Sequence, residues 1–131
     1  MDTQETKKEL PIILVVEDDQ ILTKMYQEKF KNEGFKVLTA PDGETGLDMA
    51  IRNKVDIILL DVMLPRMSGI DLLQRLRQHE KGKNTIVVVL TNLADPSEKE
   101  RALKLGVTDY LVKAMQNPGQ VVSKVKERLA E

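Results

Sequence analysis

Four oily runs in this chain each stop on a group that can do chemistry. "IILVV" (12–16) ends on Glu17, Asp18 and Asp19, and "VDIILL" (55–60) ends on Asp61. "TIVVVL" (85–90) ends on Thr91 and Asn92, and "DYLV" (109–112) ends on Lys113. A carboxylate can act as nucleophile or metal ligand, a hydroxyl can donate to an anionic oxygen, and an ammonium can offset negative charge. Singly, each has an ordinary reading. Asp favours turns and helix N-caps, the role assigned to Asp19, while a strand-end Thr or Lys is usually satisfied or solvated. Jointly the ordinary readings weaken, because carboxylates packed into one crevice repel unless a cation offsets them. Oxygen donors without His or Cys suit a hard ion such as Mg2+, which keeps waters and leaves room for phosphate oxygens. Nucleophilic carboxylate, divalent ion, ammonium and hydroxyl are the parts of a phosphoryl transfer onto Asp61, chemistry that rests mostly on positioning and charge stabilisation.

These groups can meet only if the runs before them are neighbouring strands that end on one edge. The three strongest runs are continuously apolar rather than alternating, which implies burial on both faces, as in a parallel sheet covered by helices. "FKVLTA" (35–40) and "DYLV" (109–112) are weaker and read as more exposed strands. Between them lie segments of helical period. Residues 20–32 place Ile21, Leu22, Met25, Tyr26 and Phe30 on one face, with a stop at Asn32 to Gly34. Residues 43–53 carry Leu47, Ala50 and Ile51, and residues 68–80 open on Ser68 as N-cap and turn Ile70, Leu72, Leu73 and Leu76 inward. Residues 96–105 open with Pro96 and end at Gly106, and residues 118–130 bury Val121, Val122, Val125 and Leu129. The reading is α/β: a doubly wound (βα)5 three-layer sandwich around a five-stranded parallel sheet in the order 2-1-3-4-5. Ligands of such sheets collect beyond the carboxyl ends of the strands where the order reverses, here between strands 1 and 3.

Composition narrows the rest. A chain of 131 residues suits one core, with a polar tail at 1–10 and the domain at 11–130. Lys and Arg number 20 against 21 Asp and Glu, so no global charge argues for direct contact with nucleic acid or an anionic membrane. The absence of cysteine removes disulfides, thiol catalysis and thiolate metal sites, and suits a cytoplasmic setting. No stretch is long enough to cross a membrane, and "MDTQETKKEL" lacks the apolar core of a secretory signal. There is neither a Gly-rich dinucleotide turn nor a P-loop. His79, the single histidine, reads as a solvated helix-end residue, and Lys124, Lys126 and Arg128 as a solvated or docking face.

Together, "ILVVEDD" (13–19), "DIILLDVMLPRMSGIDLL" (56–73), "VVVLTN" (87–92) and "GVTDYLVK" (106–113) resemble the response-regulator receiver family, the CheY-like domains of two-component signalling. The resemblance covers about residues 11 to 130. It implies that Asp61 accepts a phosphoryl group from a sensor histidine kinase or phosphotransfer protein. It implies that Glu17, Asp18, Asp61 and the backbone carbonyl of Met63 hold Mg2+. Thr91 would be the switch hydroxyl, Lys113 the lysine that pairs with the phosphoryl group, and Tyr110 the aromatic residue that follows the switch. Pro65 and Gly69 match the shaped turn after the acceptor. Output is expected through the surface of helix 4, strand 5 and helix 5, towards a downstream protein target that the sequence does not name. A phosphorylation-dependent dimer stays open, and so does whether the chain stands alone or is a piece of a longer protein. The expected class is a signalling switch that catalyses only its own phosphorylation and dephosphorylation.

Two positions depart from the family pattern. The lysine is usually followed by proline, but Ala114 stands here, and a non-proline cis bond costs roughly 3–4 kcal/mol, so a trans bond is expected. Asn92 follows the switch residue where Ala or Gly is usual. These departures leave open a different class, a receiver-like interaction module that needs no phosphorylation. Met63 and Leu93 flank the acceptor and the switch, and both are bulky and apolar, which is expected to hinder water and slow loss of the phosphoryl group.

Overall fold

Consecutive side chains of a strand point to opposite faces of its sheet, so an unbroken run of Ile, Leu and Val needs cover on both sides. A computed structural model, which describes residues 9–131, supplies that cover. Of the tail expected at 1–10, residues 1–8 lie outside the described residues, while Glu9 and Leu10 are exposed and without regular structure. The strands are β1 (Ile12–Val16), β2 (Lys36–Ala40), β3 (Ile57–Leu60), β4 (Ile86–Thr91) and β5 (Asp109–Val112). They pair in parallel in the order β2-β1-β3-β4-β5, as the sequence led us to expect. Alternating with them are α1 (Gln20–Asn32), α2 (Gly43–Arg52), α3 (Gly69–Gln78), α4 (Pro96–Lys104) and α5 (Pro118–Leu129).

Strand alternation sorts the core into two halves. Leu14, Val16, Ile58, Leu60, Val87 and Val89 pack against Ala50 of α2, Leu72, Leu73 and Leu76 of α3, and Ala102 of α4. Ile13, Val15, Ile57, Leu59, Val88 and Leu90 face the other way, onto Tyr26 and Phe30 of α1 and Val121, Val122 and Val125 of α5. Fully burying a side chain of this size stabilises by about 1.5–3 kcal/mol, so the three central strands carry much of the fold. β2 and β5 are half-buried edges, as their weaker sequences suggest.

Helix starts follow local chemistry. Asp19 caps α1 by accepting from the N–H groups of Ile21 and Leu22, and Ser68 caps α3 by accepting from Asp71. Because every strand is parallel and every helix returns antiparallel to it, all the helix N-termini lie at the same edge as the strand C-termini. No cis peptide bond occurs among the described residues, so Lys113–Ala114 is trans, and it opens a short 3-10 turn at Lys113–Met115.

Two expectations need correction. Ile21 fits the apolar period of α1 but is 84% exposed. Arg128 is not part of a solvated face: it grips Asp109 through Nε at 2.6 Å and Nη2 at 2.9 Å, tying α5 to β5. His79 stands at the end of α3 as expected, partly exposed, with its Nδ1 accepting from the Lys81 N–H at 3.2 Å.

Candidate functional site

Backbone pairing carries the site one residue past the regular strands. The Asp61 N–H donates to the Val16 carbonyl at 3.1 Å, and the Glu17 N–H donates to the Ala40 carbonyl at 3.0 Å. Asp61 and Glu17 therefore stand side by side at the point where the strand order reverses. Four polar or charged residues are buried in the described chain: Glu17, Asp42, Asp61 and Thr91. Three of them are site residues expected from sequence.

Lys113 joins the two acids. Its Nζ lies 2.7 Å from Asp61 Oδ2 and 2.8 Å from Glu17 Oε1. The other Asp61 oxygen, Oδ1, accepts from the Met63 N–H at 2.9 Å. Asp18 is exposed beside them, and one carboxylate oxygen from each of Glu17, Asp18 and Asp61 fits within 4.8 Å of the others. Three carboxylates face one ammonium, so negative charge is left over. An all-oxygen, partly exposed cluster with excess negative charge fits a hard, partly hydrated cation such as Mg2+.

Burial pushes the Glu17 carboxyl above its ordinary 4.5, and the Asp61 charge adds to this, outweighing the hydrogen bonds from Lys113 and the Asp19 N–H. Burial pulls the Lys113 ammonium down, but its hydrogen bonds to Asp61 and Glu17 win and hold it above its ordinary value. Lys113 is thus a fixed positive charge at every pH where the fold is of interest.

Alternation places the remaining pair on the other side of the sheet. Thr91 continues the side of Val87 and Val89, and Tyr110 packs against that same half of the core. Thr91 is fully buried, and its Oγ1 accepts from the Leu93 N–H at 3.2 Å. The Tyr110 hydroxyl donates to the Leu93 carbonyl at 2.6 Å. Burial, followed by the charges of Glu98, Asp95 and Asp61, raises the Tyr110 phenol above its ordinary 10.0, so it keeps its proton. Among the described residues no hydrogen bond joins Thr91 to Asp61. Glu17, Asp18, Asp61 and Lys113 thus come together directly, with Met63 through its backbone, while Thr91 and Tyr110 meet at Leu93. Met63 is 55% exposed, Leu93 is half-buried, and Asn92 is exposed.

The loop after Asp61 is tightly built. A Cβ on Gly69 would stand 2.5 Å from Val62 Cα and 2.7 Å from the Asp61 carbonyl oxygen, so only glycine allows this approach. Arg66 sits at φ 69° in the middle of a three-residue turn closed by the Met67 N–H on the Pro65 carbonyl at 2.8 Å. Such positive-φ γ-turns are rare and strained. Sequence reasoning passed over Asp42, which caps α2 by accepting from the Thr45 N–H at 2.7 Å and lies 4.0 Å from Arg66. The "PDG" at 41–43 is a local turn signal that could have found it, but nothing in it points at the acceptor loop.

Comparison with known proteins agrees with this geometry. The response regulator receiver domain profile matches residues 13–126. The chain is 40% identical over 114 residues to the transcriptional regulatory protein CpxR of Escherichia coli K12, covering 87% of this chain and 47% of that protein. It therefore spans about half the length of that relative. A CheY-like receiver domain protein from Methanospirillum hungatei superposes with a TM-score of 0.87 at 26% identity, over 93% of this chain and 95% of the other. The receiver domain of sensor histidine kinase PA1611 from Pseudomonas aeruginosa, solved with magnesium coordinated in its active-site cleft, gives 0.83 at 25% identity, over 94% and 100%.

Proposed function

The chain belongs to the response regulator receiver domain family, and on that premise we propose that Asp61 accepts a phosphoryl group from a phosphohistidine donor. The observation that carries this reading is the Lys113 ammonium held between Asp61 and Glu17, with Asp18 beside them. Attack by an Asp61 oxygen on phosphorus forms the P–O bond while the P–N bond breaks. The electron pair returns to the donor imidazole, which takes up a proton. Lys113 stays charged throughout and faces the phosphoryl oxygens, and the Met63 N–H fixes the plane of the carboxylate. Glu17, Asp18, Asp61 and the Met63 carbonyl would hold Mg2+, which offsets the crowded negative charge of acids and phosphate.

The residues that carry this form one receiver unit over about 11–130. The donor is a cytoplasmic sensor histidine kinase or phosphotransfer protein. Thr91 and Tyr110 read the phosphoryl group through Leu93, and α4, β5 and α5 present the change to a partner. Moving a population from 1:99 to 99:1 takes about 5.5 kcal/mol. Two charge-assisted hydrogen bonds, at roughly 1.5–3 kcal/mol each, reach that order.

The test is incubation with Mg2+ and acetyl phosphate, comparing the wild-type chain with Asp61→Asn by mass and by amide shifts. A phosphate-sized mass gain in the wild type alone supports the reading. Silence in both, with folded protein, overturns it and favours an interaction module that needs no phosphate.

A further inference from the structure

Arg77 lies in the last turn of α3, at the edge of the sheet opposite Asp61, and the chemistry above does not use it. Its half-buried guanidinium makes four hydrogen bonds, all to backbone carbonyls. Nε donates to Leu105 at 2.7 Å and Nη2 to Gly106 at 3.3 Å, while Nη1 donates to Gly82 at 2.9 Å and Thr85 at 2.7 Å. Leu105 and Gly106 close α4, and Gly82 and Thr85 belong to the loop between α3 and β4. Among the described residues no carboxylate pairs with Arg77. A guanidinium has five N–H donors in a fixed fork, and four are spent here on holding three chain segments together. Carbonyls at a helix C-terminus carry partial negative charge, which suits them to a cation. Gly106 stands beside the fork at φ +82°, a backbone conformation that favours glycine.

The opposite end of α4 is held quite differently. Its approach runs through the exposed residues Asn92, Ala94 and Asp95. Among the described residues, the side-chain hydrogen bonds that tie this approach to the sheet are those of the Thr91 and Tyr110 hydroxyls on Leu93, one each, beside the packing of Leu93 on the core.

We propose that Arg77 is the pivot of the switch: it pins the C-terminal end of α4 to α3, so that a change at Thr91 swings the N-terminal end about a fixed foot. The swing rests on the phosphoryl reading above; the clamp does not. Arg77 is then a positioning residue, and it decides which part of the α4 face moves. Helix motion is graded along the chain, greatest at Leu93 to Ser97 and least at Leu105 to Val107.

The test is amide hydrogen exchange and shift mapping on the whole chain, comparing wild type, Arg77→Lys and Arg77→Met. Without phosphate, Arg77→Met should speed exchange at Leu105, Gly106 and Val107 by about tenfold or more, with Arg77→Lys between, while Ile13 and Phe30 stay as in the wild type. With Mg2+ and beryllofluoride, wild-type shifts should fade along α4 and vanish near Leu105, whereas in Arg77→Met they should run through to Val107. Exchange at 105–107 that stays within about twofold of wild type in both variants overturns the clamp. A uniform rise across core amides overturns it too, since that marks general packing. Wild-type shifts as large at 105–107 as at 93–97 overturn the pivot. If beryllofluoride moves nothing in the wild type, the phosphoryl reading fails and the swing with it, while the exchange arm still decides the clamp.

Discussion

The Tyr110 hydroxyl reaches across 17 residues of sequence to donate to the Leu93 carbonyl at 2.6 Å, and the Leu93 N–H in turn rests on the Thr91 hydroxyl. One residue of the loop between β4 and α4 is thereby held at both of its backbone groups by the two hydroxyls that the sequence nominates as the switch. On the switch reading proposed above, a movement of Thr91 would reach Leu93 first and Tyr110 next.

Tyr110→Phe keeps the ring and deletes this bond. Stability should fall by about 0.5–1.5 kcal/mol, the usual worth of one hydrogen bond, measured by urea unfolding. Uptake of phosphate from acetyl phosphate should be unchanged, while the amide shifts of α4 on phosphorylation shrink. Full-sized α4 shifts in Tyr110→Phe would show that the hydroxyl transmits nothing.

Lys113 lies within 2.8 Å of two buried carboxylates, so removing it strands both. Lys113→Met should cost about 3–5 kcal/mol at neutral pH, the range for a broken buried pair. Adding Mg2+ should recover part of that loss, and more than it adds to the wild type. Equal Mg2+ stabilisation of the two proteins, read from unfolding midpoints, would place the cation away from these acids.

Two acids should shape the pH dependence in opposite senses. Burial holds Glu17 above 4.5, so the native state binds that proton more tightly than the unfolded chain does. Stability from Glu17 is therefore greatest at low pH and declines as pH rises from 4.5 through the folded value. The hydrogen bonds from Arg128 hold Asp109 below 3.8, so its contribution is complete above 3.8 and lost as pH falls through the folded value. Glu17→Gln should flatten the decline above 4.5, and Asp109→Asn the loss below 3.8. Unfolding free energies across the pH range, with slopes that match the wild type in both variants, would contradict this assignment.

The acceptor loop offers a contrast between two backbone positions. Arg66→Gly relieves a positive φ that costs a side chain roughly 1–2 kcal/mol, and should leave stability unchanged or raise it by up to about 1 kcal/mol. Gly69→Ala forces a Cβ to within 2.7 Å of the Asp61 carbonyl oxygen and should cost more than about 2 kcal/mol, with slower phosphate uptake at Asp61. Unfolding midpoints and acetyl phosphate kinetics for the two variants decide it.

The sequence by itself determined the sheet, its order, the helix caps Asp19 and Ser68 and the residue types at its carboxyl edge. That was possible because strand alternation, buried runs and N-cap chemistry are local rules, readable a few residues at a time. The split of Lys113 from Thr91 needed the register of β4 on β5 as well: Thr91 pairs with Val112, so Lys113, one residue on, faces the other way. Only the tertiary structure decided which oxygen meets which donor. Lys113 and Asp61 are 52 residues apart, and their 2.7 Å bond exists because β3, β4 and β5 lie side by side. Ile21 obeys the helical period yet faces solvent, since a period says which face a residue shares and not whether anything lies above it. Arg77 reads as one more surface charge late in a helix, until the fold carries the carbonyls of Leu105 and Gly106 to its fork. Burial and long-range partnership are properties of the packed chain, and no window of sequence contains both halves of such a contact.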